Sequence, residues 1–306
     1  MSVDTLQAKI RKLKNPTLVQ FAPRLELIPP ALLARHVEAM GETPEAICAA
    51  VREFCVPILE KLHGLVPAVG FGAACFLSLG AQGVGLLQEL LRRARRLGFY
   101  VLLDGNFTAY GPQADMMAQA VFGRIGSEDL GHTVYECDAV TLCAYHGSDS
   151  IKPYLPYLRG DSPKNVFVSI KSPNRSGREV QDLISGDRVV HTALADMTLR
   201  WSLDLFGKSG YGEVCAAVSA TNSMALQQLR RKYDQLFFLV RGIDAPGGSV
   251  RAAAHGFDRL GHGAIVSSGD LILGAWKGGS GEDWMERATA AAEKLKDQLD
   301  NHVTVL

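Results

Sequence analysis

The chain has 306 residues, 47% of them hydrophobic and 21% charged, and its 32 basic and 32 acidic side chains give a formal net charge of zero. That length suffices for one large core or for two ordinary domains. Balanced charge, with no basic stripe interleaved with aromatics, excludes a general attraction to nucleic acid or to an anionic membrane.

The opening, MSVDTLQAKIRKLK, reads as an amphipathic helix over residues 1–14, with no apolar stretch that could serve as a signal peptide. No later run approaches the roughly 18 apolar residues of a membrane span. The six cysteines, Cys48, Cys55, Cys75, Cys137, Cys143 and Cys215, form no C-x-x-C pair and have no His cluster at zinc-site spacing. They are expected to be reduced thiols of a cytoplasmic protein without metal or cofactor.

Short apolar, β-branched runs then alternate with helical patterns to the end of the chain. Strands are expected at Thr17–Phe21, Pro67–Phe71, Tyr100–Leu103, Ala139–Leu142, Val166–Ile170, Val214–Val218, Phe237–Val240 and Ala264–Val266. Between the first two, LLARHVEAMGETPEAICAAVREFCVPILEKL reads as two helices broken at Gly41. Thr43 is the N-cap of the second and Pro44 its first residue. GVGLLQELLRRARRLG, SMALQQLRRKYD and DWMERATAAAEKLKDQLDNH are further helices, whereas Ser176–Val190 reads as a loop with a short turn.

Eight βα units in this length fit a single (β/α)₈ barrel over residues 1–306, a fold of roughly 250 residues before insertions. Helix 1–14 is expected to cover the barrel bottom, and a C-terminal helix to span 281–302. A doubly wound open sheet would place a Gly-rich turn after the first strand. Here that position reads Gln20-Phe21-Ala22-Pro23-Arg24, which favours the barrel.

Function in such barrels is read at the C-terminal ends of the strands. NPTLVQFAPRLELIP, at the first of these, resembles the opening of the longer bacterial orotidine 5′-phosphate decarboxylases, roughly NPTVVGLDPRLDYIP. LLDGNFTAYG, CDAVTLCAYHGSDSIKPYL, IKSPNRSGREVQDL, GYGEVCAAVSAT, FFLVRGIDAPGGSV and GHGAIVSSGDLILGAWK continue the match in order over nearly the whole chain. The resemblance implies cofactor-free decarboxylation, in which a Lys/Asp network holds the substrate. A Lys ammonium there stabilises and then protonates the carbanion.

Most of that network is replaced. The family's Leu-Asp-Pro carboxylate falls on Ala22, and its second-strand Lys on Gly70. In the third-strand Asp-x-Lys-x-x-Asp, the first Asp survives as Asp104, while the Lys becomes Asn106 and the last Asp becomes Ala109. Asparagine can neither carry the ammonium charge nor deliver its proton. The phosphate-gripping Gln falls on Pro246 and the Arg on Asp270, and the pyrimidine-reading Thr-Ser becomes Ser172-Pro173. Gly247 and Gly248 remain as backbone donors for an anion.

Arg241 stands where the family has Pro, and it is expected to pair with Asp244 or Asp270 and fill the old phosphate site. Lys171 has an equivalent in the family. Cys143 and His146 offer a nucleophile and a base, or else a packed thiol and a solvated imidazole. His255 and His262 flank the start of the eighth strand and read as structural. Three functions stay open: a non-catalytic paralogue, a repurposed small-molecule enzyme, and an altered but genuine decarboxylase. The resemblance also implies a homodimer over the active-site face, or a heterodimer with an active relative.

Overall fold

The computed structural model describes residues 2–126, 131–160, 162–279 and 281–306. Its strands are β1 (Thr17–Phe21), β2 (Ala68–Gly72), β3 (Tyr100–Phe107), β4 (Ala139–Leu142), β5 (Asn165–Ser169), β6 (Ile184–Ser185), β7 (Arg188–Val189), β8 (Val214–Ser219), β9 (Phe238–Arg241) and β10 (Ala264–Ser268). All but β6 and β7 form one closed parallel barrel in the order β1-β10-β9-β8-β5-β4-β3-β2. The strands are buried nearly throughout, which explains why they read as continuous apolar runs rather than as alternations.

The helices are α1 (Ser2–Leu13), α2 (Pro30–Met40), α3 (Pro44–Leu62), α4 (Ala73–Leu77), α5 (Gly80–Arg96), α6 (Pro112–Phe122), α7 (Arg178–Gln181), α8 (Val190–Trp201), α9 (Ser223–Lys232), α10 (Val250–Ala253), α11 (Asp270–Leu273) and α12 (Trp284–Asp300). Gly41 ends α2 at φ 77°, and the Thr43 hydroxyl accepts the Ala46 N–H to start α3. No helix among the described residues is long and apolar enough to cross a membrane.

Two expectations are corrected. Strand β3 runs to Phe107 rather than to Leu103, through a register shift against β4. Segment 176–190 is not a bare loop. A 3₁₀ turn, α7 and the β6–β7 hairpin fill it, and α8 begins at its last residue.

Leu6 and Ile10 of α1 are fully buried, and the helix reaches residues at the starts of β3 and β8. Ser2 Oγ meets the Tyr100 hydroxyl at 2.8 Å, and the Val3 N–H donates to both oxygens of Glu213 at 3.2 Å. Burial pushes the Glu213 carboxyl up to about 8. Arg230 is equally enclosed. It donates only to backbone carbonyls, those of Tyr233, Asp234, Leu236, Gly256 and Gly263, and lies 3.9 Å over the Phe238 ring. Burial lowers its guanidinium to about 10.

Candidate active site at the barrel mouth

A cleft of about 470 Å³ opens at the C-terminal ends of the strands. Its centre is Asp104 of β3. Gln20 of β1 donates Nε2 to Asp104 Oδ2 at 3.1 Å, and the Thr141 hydroxyl of β4 donates to Oδ1 at 2.7 Å. Arg241 of β9 brings Nη2 to within 2.5 Å of Oδ1, with both side chains over four-fifths buried, at 17% and 18% exposure. The contact is an ion pair without hydrogen-bond alignment, so Nη2 lacks a directional partner. The expected pairing of Arg241 with Asp244 or Asp270 is therefore replaced by one with Asp104.

Backbone geometry presents these groups. After Leu103 the register of β3 slips, and Asn106 takes φ 44°, a left-handed conformation that asparagine tolerates better than most residues. Its N–H then donates to Thr141 Oγ1 at 2.8 Å, and its Oδ1 accepts the Ser169 hydroxyl at 2.6 Å. A proton-ordered chain thus runs from the Asn106 amide through Thr141 to Asp104. Gly70 lies opposite Gln20 in the ladder, and a Cβ there would strike Gln20 Oε1, which is buried without a hydrogen-bond partner. The Gln20 side chain fills the space beside a residue that has none.

The other two carboxylates of the mouth are also occupied. Asp270 accepts from Arg24 Nη2 at 2.6 Å, while Arg24 Nε donates to Glu26 at 2.7 Å. Asp244 accepts the Ser268 hydroxyl at 3.0 and 3.2 Å, the Gly269 N–H at 2.8 Å and the Leu271 N–H at 3.4 Å. Gly248 does not offer its N–H to an anion, because that group donates to Ala245 O at 2.9 Å. Gly247, at φ 87°, makes the turn that allows this.

The remaining candidates, apart from Ala22, lie outside the cleft lining. Ser172 is closed into a reciprocal pair with Gln181, its N–H donating to Oε1 and its hydroxyl accepting from Nε2. Lys171 is buried and paired with Asp182, holding that carboxyl below its usual range. His146 packs edge-on against Tyr110 and Tyr145, and no hydrogen bond among the described residues joins it to Cys143. Ala109 is half-buried beyond the end of β3. His262 Nε2 meets Leu306 O at 2.8 Å below the barrel. Ala22 and Gly70 carry no polar group to the site, and Ala22 lines the cleft wall.

The sequence reading missed Gln20, Thr141 and Arg24 as site residues. Gln20 carried a signal, since the resembling motif has Gly at that position and an uncharged polar side chain in a buried strand requires a partner. Thr141 carried none, because its role depends on the register between β3 and β4.

No protein-family model matches the chain. Among curated proteins, the orotidine 5′-phosphate decarboxylase of Rhodopirellula baltica is 30% identical over 300 residues, covering 96% of this chain and 97% of the relative. That of Caldicellulosiruptor bescii is 26% identical, with 97% of each covered. The OMP decarboxylase structure of Leishmania donovani superimposes with a TM-score of 0.73 at 26% identity, covering 98% of both chains. The orotidine 5′-monophosphate decarboxylase of Plasmodium berghei gives 0.75 at 14% identity over 97% of both, a likeness of fold alone.

Proposed function

The chain belongs to the orotidine 5′-phosphate decarboxylase family, and we propose that it is a member that no longer decarboxylates orotidine 5′-phosphate. One observation carries the reading: Asp104 is neutralised by Arg241, and no ammonium group lines the cleft among the described residues. The family reaction, as the resemblance implies it, needs a cation that stabilises a developing carbanion and then gives it a proton. A guanidinium supplies charge but keeps its proton at any working pH. Asn106, at the place of the lysine, is tied to Ser169 and has no acidic proton to give.

The test is loss of orotidine 5′-phosphate absorbance at high protein concentration, with Asp104→Ala as control. No turnover above the uncatalysed rate is expected. Turnover abolished by Asp104→Ala would reject the reading in favour of an altered but genuine decarboxylase.

A second reading, a repurposed small-molecule enzyme, is favoured by the open cleft and by the convergence of Gln20, Asn106 and Arg241 on it. We further propose a cytoplasmic protein that pairs over the mouth with itself or with an active relative. Exposed Tyr110, Tyr145, Leu183 and Ile184, on the segments that follow β3, β4 and β5, support this assembly. Sedimentation at twice the chain mass is its expected signature.

A further inference from the structure

We propose that Asp244 is the specificity-determining residue of the mouth. Its carboxylate fills an anion seat made by Ser268, Gly269 and Leu271, so that the cleft excludes phosphate esters and is left for ligands without a phosphate. The inference rests on the reading of the cleft as the functional site, and it adds the class of ligand that site rejects.

The seat is defined by its donors. One hydroxyl and two backbone N–H groups, from the end of β10 through the first turn of α11, converge on the Asp244 side chain. Converging N–H and O–H groups of this kind hold carboxylates and phosphates alike, because each offers several anionic lone pairs. The chain meets that requirement from within. Asp244 is delivered by the loop after β9, and its backbone is fixed by the turn in which Ala245 N–H donates to Gly242 O at 3.2 Å and Gly248 N–H to Ala245 O at 2.9 Å. The loop is closely packed on itself. A Cβ at Gly248 would overlap Gly242 O, so these segments already pack backbone on backbone.

Charge acts in the same direction as occupancy. A phosphate monoester entering the cleft would meet Asp104, Asp244 and Asp270, whereas the two cations present, Arg241 and Arg24, already face carboxylates. Displacing Asp244 from its seat would strand a carboxylate without its donors next to an incoming dianion, and each of these is unfavourable.

The experiment is titration calorimetry of the full chain with inorganic phosphate, uridine 5′-monophosphate and uridine, on the wild type, Asp244→Gly and Asp244→Asn. Asp244→Gly empties the seat. Asp244→Asn keeps the side-chain volume and removes the charge, so it covers the case in which the glycine variant fails to fold. The expected result for Asp244→Gly is a gain of about tenfold or more in affinity for uridine 5′-monophosphate and for phosphate, and for Asp244→Asn, whose carboxamide still fills the seat, a smaller gain from the lost charge, with uridine unchanged in both. Folding is checked by thermal melting. Equal phosphate affinity in wild type and variants would overturn the proposal, as would an equal gain for uridine, which would mean that volume rather than charge had been the barrier. Turnover of orotidine 5′-phosphate is measured separately: turnover by the wild type would sink both readings, because that substrate is a phosphate ester, whereas no turnover with equal phosphate affinity in wild type and variants would overturn this proposal and leave the reading of lost activity standing.

Discussion

Asp104 is held by side chains from three other strands, Gln20, Thr141 and Arg241, and the last of these decides its electrostatics. Removing one partner of an enclosed ion pair leaves the other charge without compensation. Arg241→Met is therefore expected to lower stability by about 2 kcal/mol in urea denaturation, less than for a fully buried pair because some exposure screens it. Adding Asp104→Asn should restore much of that loss, since the stranded charge is then gone. A second residue to test is Glu213. Its carboxyl titrates at about 8 in the folded barrel against 4.5 when free, so the folded state holds the proton more tightly. The stability from that proton is fully present below pH 4.5 and is lost as pH rises through about 8. Glu213→Gln should raise the melting temperature above pH 8 and leave it nearly unchanged near pH 4.5. Asp104 was legible in the sequence because its neighbours on the chain match a motif. The partner of Arg241 was not, because Arg241 and Asp104 lie on strands that are not adjacent, whereas proximity along the chain pointed to Asp244 and the neighbouring strand to Asp270.

At the scale of elements, β1 and β2 show how one strand can absorb a change in the next. Gln20 and Gly70 are ladder partners, a long side chain facing none, where the resembling opening has a glycine at the first position and the family a lysine at the second. Gly70→Lys alone should be destabilising, because the new side chain would enter space held by the Gln20 carboxamide. Gln20→Gly together with Gly70→Lys should recover most of the melting temperature, and a double-mutant cycle measures the coupling directly. The strands themselves were readable, since a buried parallel strand is a short apolar run. The end of β3 was not, because the polar Asp104-Gly105-Asn106 stretch looks like loop although it remains in the sheet edge facing the mouth. The β6–β7 hairpin was missed for a related reason: two residues per strand are too few for any alternation to show.

Over the whole molecule, the two ends of the barrel are built differently. The bottom is tied by groups that reach across many elements: α1 against Tyr100 and Glu213, and Arg230 gathering carbonyls from five residues. Eight strands closed into one parallel barrel present the mouth's side chains from separate elements. The architecture followed from the count and order of apolar runs, whereas the mouth depends on which side chains meet across strands, information that a single sequence holds only weakly. The pairing of charges within that mouth has a consequence for how anything reaches it. Arg241 faces Asp104 and Arg24 faces Asp270, whereas Asp244 meets only neutral donors of its own chain, so the field left at the rim is small and negative. An uncharged visitor is not drawn in from a distance, and its arrival depends on diffusion and shape. Its association rate should be as fast in concentrated salt as in dilute buffer.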